Sequence, residues 1–277
     1  MSVTAPATPS TAVAPAAPVR GLDQLATFRA VLWRDMFVTS RELGAFFAQV
    51  FLQPLFMLLI FGKVLTSLGY ASDDFANVLL PGVIALNAFL IGLENTALPM
   101  VMDFSFTREI EDRLLSPMAI PLVAFEKIVF GAIRGVIAGV VLIPIGMLML
   151  GVSWPLSTLL PVLGVLTAGA MVGAAMGLTF GTLVPPHRIQ IMFTVTMTPL
   201  MFTGATQFPL RALDQLPWFQ VICALNPLTY VSEATRSLVA PPGVQSVPLW
   251  LDLIVLAGVF VLFSAVGIRG FMRRAMD

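Results

Sequence analysis

The chain is 277 residues long, 58% hydrophobic and only 11% charged, with a mean hydropathy of +0.94 and 15 basic residues against 15 acidic ones. A water-soluble domain carries roughly 25% charged residues, so this chain cannot cover a solvent-facing surface, and its zero net charge removes the basic footprint of a nucleic-acid binder. A single cysteine, Cys223, and a single histidine, His187, exclude a disulfide framework and argue against a protein-only His/Cys metal site, so no cofactor is expected.

Residues 1–20 are almost entirely Ala, Pro, Thr, Ser and Val, with no charge before Arg20. They lack the basic start and apolar core of a signal peptide, and a disordered tail is expected. From 22 to 41 the pattern turns helical. Leu22, Leu25, Leu32, Trp33 and Met36 share one face, while Asp23, Thr27, Arg34 and Arg41 lie opposite. Such a helix lies in the membrane interface, with Asp35 beside Arg34, and with Arg29 on the apolar side, where it must snorkel or meet a carboxylate.

Six apolar spans follow, at about 45–65, 78–101, 123–151, 157–184, 189–206 and 249–269. Each approaches the roughly 20 residues that cross a hydrocarbon layer of about 30 Å. The fold class is therefore all-α, a polytopic membrane protein. In the second span Asn87 and Glu94 share a face and Asn95 adjoins them; an ionised carboxylate at mid-depth costs on the order of 3 kcal/mol, so Glu94 faces protein or a wet pathway.

Between the second and third spans, Thr107 can cap a short helix. Glu109, Glu111 and Asp112 sit near its positive end, Arg108 and Arg113 flank them, and Pro117 stops it. It is either a solvated loop helix or a handle for another protein, because a rigid helix joined to two spans moves both. In the third span Arg134 lies within reach of Glu126 or Lys127, and both cations are expected to snorkel to the inner surface.

Glycines recur at spacing four: Gly131, Gly135 and Gly139 in the third span, and Gly169, Gly173, Gly177 and Gly181 in the fourth. Such ridges let neighbouring backbones approach, either as fixed packing within the subunit or as a contact that slides. In the fifth span Thr194, Thr196, Thr198 and Thr203 line a mildly polar path or bond their own helix's carbonyls. From Gln207 to Val247 the chain is too apolar for a solvated loop and too broken by proline for one straight span. Short helices that dip into the membrane and return are expected there, buried in protein or lining a wet cavity.

With the amino end inside, 12 of the 15 basic residues fall on the inner segments and their flanks, and only Lys63, Arg211 and Arg236 lie outside. Both termini are then cytoplasmic. There is no Walker A loop, because Gly62-Lys63 is followed by valine, and neither zinc-protease nor serine-hydrolase motifs occur. Catalysis by this chain is not expected.

Three stretches carry a family resemblance. The first is Phe208-Pro209, Leu216-Pro217, Leu225-Asn226-Pro227-Leu228-Thr229-Tyr230, Glu233-Ala234 and Arg236; the second is Leu79-Leu80-Pro81-Gly82 with Arg108-Glu109 and Glu111 to Pro117; the third is Arg34-Asp35 and Arg41 before Gln53-Pro54-Leu55. Over about residues 22–274 the chain resembles the membrane subunit of type 2 ATP-binding-cassette (ABC) transporters, the permeases of drug, nodulation-factor and polysaccharide export. The resemblance implies a permease domain over 21–277 with six spans, an amino-terminal interfacial helix and two short outer re-entrant helices. It also implies a second permease subunit and a separate nucleotide-binding ATPase, gripped through Thr107 to Pro117 and the interfacial helix (Arg29, Trp33, Arg34, Asp35). The setting would be the bacterial plasma (inner) membrane and its lipid, with no nucleic acid, and the cargo an amphipathic drug, lipid or glycolipid passing near Asn87, Glu94 and Thr198. The competing reading is an ATP-independent secondary transporter or channel.

Overall fold

A computed structural model of the chain describes residues 21–72, 74–105, 118–241 and 243–276. The tail expected over 1–20 and the handle expected over Thr107, Arg108, Glu109, Glu111, Asp112, Arg113 and Pro117 lie outside the described residues. Within them the chain is helical and contains no strand. In chain order, α1 is Gly21–Thr39, and α2 begins at Leu43–Met57, continues through a π-helical stretch Leu58–Val64 and ends with Leu65–Ser67. Next come α3 Phe75–Ser105, α4 Ile120–Leu150, α5 Leu156–Leu183 and α6 Ile189–Thr203. The last three are α7 Pro217–Ala224, α8 Pro227–Val239 and α9 Leu249–Met276.

Five helices among the described residues are long and apolar enough to cross a membrane: α2 over Phe46–Ser67, then α3, α4, α5 and α9. α6 occupies the place of the expected fifth span but has 15 residues, about 22 Å at 1.5 Å per residue. It stops there because the backbone leaves the helix at Gly204 and turns at Ala205, whose φ is 49°. A left-handed backbone at alanine is uncommon and needs support from its surroundings. Two contacts supply it: the Arg236 guanidinium donates to the Ala205 carbonyl at 2.9 Å, and the Thr206 backbone lies so close to Gly82 of α3 that a Cβ there would overlap its carbonyl.

The hub of the bundle is α3, buried over most of its length and packed chiefly against α5 and α4, while α9 packs on α5 and α8 wedges among α3, α5 and α9. Glycine explains that intimacy. A Cβ at Gly173 or Gly177 would strike the Phe89 or Leu93 carbonyl of α3, and one at Gly135 would strike that of Ala88. α3 returns the favour through Gly92, where a Cβ would stand 2.7 Å from the Ala170 carbonyl of α5. Both ridges are thus packing faces within the subunit, with Gly169 at the upper end of its row turned to Val231 of α8. Where lipid tails offer no hydrophobic drive between helices, such backbone approach is what holds them.

Cations near both ends of the bundle bond backbone carbonyls or hydroxyls. Lys63 reaches the Met149 carbonyl and Arg236 the Val78 carbonyl at one end, while Arg274 bonds Ser105 and Gly181 at the other.

Candidate functional site

At one end of the bundle, α1 packs on α4, and its Asp35 shares Lys127 of α4 with Asp103 near the end of α3. Its exposed side repeats every four residues: Leu25, Arg29, Trp33 and Phe37, with Arg41 stacked over the Phe37 ring at 5.1 Å. This stripe differs from the expected apolar face: Leu25 and Trp33 lie on it, but Leu32 and Met36 are half-buried and Arg34, expected opposite, is exposed beside Trp33. The opposite side meets protein through Phe28, stacked on Phe125 of α4 at 6.5 Å, and through Asp35. Arg34 remains exposed and bonds only its neighbour Asp35, at 3.4 Å, among the contacts observed.

Lys127 departs from expectation. It does not snorkel: its side chain is 6% exposed and its ammonium sits 3.0 Å from Asp103 of α3 and 3.5 Å from Asp35 of α1. Two carboxylates supply the compensation that water would otherwise give a buried cation. Neither aspartate is a helical neighbour of Lys127, so spacing along one helix gave no signal of the triad. Arg134 lines the same inner recess of about 440 Å³ and stacks over Phe46 at 4.7 Å, tying α4 to α2.

Glu94 faces a small polar recess of about 80 Å³ between α2 and α3, also lined by Asn87, Gln49 and Gln53. Gln49 donates to the Glu94 carboxylate at 2.8 Å, and Gln53 reaches the Met201 sulfur of α6 at 3.4 Å. The two glutamines stand a helical turn apart on α2; the sequence singled out Gln53 only within the Gln53-Pro54-Leu55 resemblance and did not single out Gln49. Asn87 spends its amide on the Ala138 carbonyl of α4 at 3.2 Å, so it also serves packing. Thr198 is not in this recess: it is exposed on α6, while Thr194 and Thr203 bond their own helix's carbonyls at 3.1 and 2.8 Å.

The residues of the 207–247 signature form an internal brace. Pro209 precedes a single turn Leu210–Leu213, Phe208 packs on Phe219, and α7 and α8 are separated at Asn226. Asn226 caps α8 by accepting from the Leu228 amide at 2.9 Å, and its own amide donates to Leu200 and Thr203 of α6 at 2.9 Å. Pro227 takes the first helical position, where its missing N–H is not needed. The Tyr230 hydroxyl donates to the Ala224 carbonyl at 2.7 Å. Glu233, fully buried, accepts from the amides of Leu210 at 3.0 Å and Val247 at 3.1 Å and from the Arg236 guanidinium. The signature therefore sets backbone turns. Replacing Asn226 by alanine removes one cap and leaves the Leu200 carbonyl short of a donor, an expected loss of about 1–2 kcal/mol. A thermal midpoint in detergent indistinguishable from wild type would contradict that role.

No group of three or more His, Cys, Asp or Glu among the described residues is arranged to hold a metal ion.

Residues 26–239 match the family model described as ABC-2 type transporter. Two proteins that carry the name "Putative transport permease ycf38" are similar to the chain. That of Cyanophora paradoxa is 27% identical over 229 residues, covering 75% of this chain and 72% of its own length. That of Porphyra purpurea is 30% identical over 200 residues, covering 67% of this chain and 64%, just under two thirds, of its own.

Proposed function

The chain belongs to the ABC-2 type transporter family, and from that membership we propose that it is the permease subunit of an ATP-driven exporter, working with a separate nucleotide-binding ATPase. Family membership makes it a multi-pass transmembrane transport component rather than an enzyme. The observation that carries the finer reading is the match over 26–239, which includes the interfacial helix, the hub of the bundle and the brace.

The ATPase engages the segment Thr107 to Pro117 together with α1. A second copy or a paralogue completes the transporter, and the apolar outer faces of α2 and α6 are available for that contact (Leu52, Phe56, Ile191, Val195). α6 makes the sixth crossing, its shortness taken up by local thinning of the bilayer, and α7 and α8 re-enter from the outside. The cargo is an amphipathic drug, lipid or glycolipid-like molecule, taken from the cytoplasm or inner leaflet past the Gln49, Asn87 and Glu94 recess. Both termini face the cytoplasm of a bacterial plasma membrane, as the inner placement of basic residues supports.

Glu111→Lys or Arg113→Glu is expected to leave ATP hydrolysis in place and to reduce substrate moved per ATP by roughly tenfold, within the range of coupling free energies between sites. Reconstituted vesicles report both quantities. An unchanged ratio would remove the segment from the coupling path.

A further inference from the structure

Asp103 stands two residues before the end of α3, and Lys127 in the second turn of α4, so the two flank the segment where the ATPase is proposed to dock. Their ion pair joins the end of α3 to the beginning of α4. Asp35 brings α1 to the same ammonium, and all three side chains are at most 10% exposed. We infer that the Asp35–Lys127–Asp103 triad is the mechanical joint that passes displacement of the docking segment and of the interfacial helix into α3 and α4 together.

The inference rests on the permease reading above. One charged point is shared by three helices, so any shift of α1 relative to α3 and α4 must either carry the triad with it or break it. Breaking it exposes a buried ammonium to two uncompensated neighbours, which is costly in a low-dielectric surrounding. Moving it carries two spans. A second latch spreads the motion: Arg274 of α9 donates to Ser105 at the end of α3 and to the Gly181 carbonyl of α5, each at 3.1 Å, and stacks over Phe104 at 4.9 Å. The inner end of α3 is thus fastened on one side to α1 and α4 and on the other to α5 and α9. Lys127 and Asp35 are positioning residues in this scheme, because neither needs to touch cargo.

Removing Lys127 would leave two carboxylates buried side by side, so Lys127→Met tests folding as much as coupling. Asp35→Asn is the cleaner variant: it releases α1 and leaves Lys127 and Asp103 as a balanced pair. In vesicles holding the complete transporter, Asp35→Asn is expected to lower the substrate moved per ATP hydrolysed ~5-fold or more, the lower part of the range for coupling between sites. Asp35→Glu restores most of the ratio, which a merely unfolded or mis-assembled variant would not do. Hydrogen exchange of the chain in nanodiscs, with no ATPase present, is expected to rise along α1 in Asp35→Asn. Wild-type transport with an unchanged ratio in Asp35→Asn would overturn the joint while leaving the permease reading intact. A wild-type complex that moves no substrate with ATP would overturn the permease reading, and the joint with it.

Discussion

Replacing Arg236 by methionine is expected to destabilise the chain by about 3–5 kcal/mol, the cost of breaking a buried ion pair from one side. Arg236 is fully buried and bonds Glu233, the carbonyls of Ala205 and Thr206 after α6, and Val78 at the start of α3. Glu233 in turn holds the amides of Leu210 and Val247. One pair therefore fixes the left-handed turn that ends α6, the turn after Pro209 and the entry to α9. Without the guanidinium, the buried Glu233 carboxylate loses its partner and three carbonyls lose a donor. The double replacement Glu233→Leu with Arg236→Met removes the lone charge and should recover part of the loss. The thermal midpoint of purified protein in detergent measures both. A shift for Arg236→Met no larger than that of Arg211→Met, an exposed arginine of the same region, would contradict the brace.

Gly173→Leu is expected to be comparably damaging. A Cβ at residue 173 collides with the Phe89 carbonyl, and backbone, unlike a long side chain, cannot swing away. The helices must part, which costs about 1–3 kcal/mol in well-packed interiors, and here the upper end of that range is expected. Separating α5 from α3 opens the hub, so transport should fail along with stability. Gly164, on the same helix, has nothing within 4 Å of its notional Cβ. Gly164→Ala should change the midpoint by no more than the ~0.5 kcal/mol typical of surface substitutions. Equal tolerance at 164 and 173 would mean that the glycine ridge is not a packing face.

Much of the bundle was legible because hydropathy and glycine spacing are local signals. The second, third, fourth and last spans reappear as α3, α4, α5 and α9, and the ridges of Gly131 to Gly139 and Gly173 to Gly181 face α3 as period-four packing requires. What escaped the sequence depends on partners far along the chain. Nothing local marks Ala205 as left-handed, since its support comes from Arg236 and from Gly82. Lys127 looked like a snorkelling cation because its two aspartates lie on other helices. Glu233 and Arg236 were visible as a signature, and their spacing of three allows an ion pair on one helix, yet their work in tying loops appears only once those loops are placed. Glu94, expected to face protein or a wet pathway, lines a recess, and its partner Gln49 belongs to α2.

The most direct test of the account is transport by the purified chain in sealed vesicles, reconstituted with the proposed ATP-binding subunit and loaded with a fluorescent amphipathic substrate. The account predicts movement that requires both subunits and hydrolysable ATP and that stops when the ATPase is left out. Movement by the chain alone, without ATP and driven by an imposed proton gradient, would contradict it.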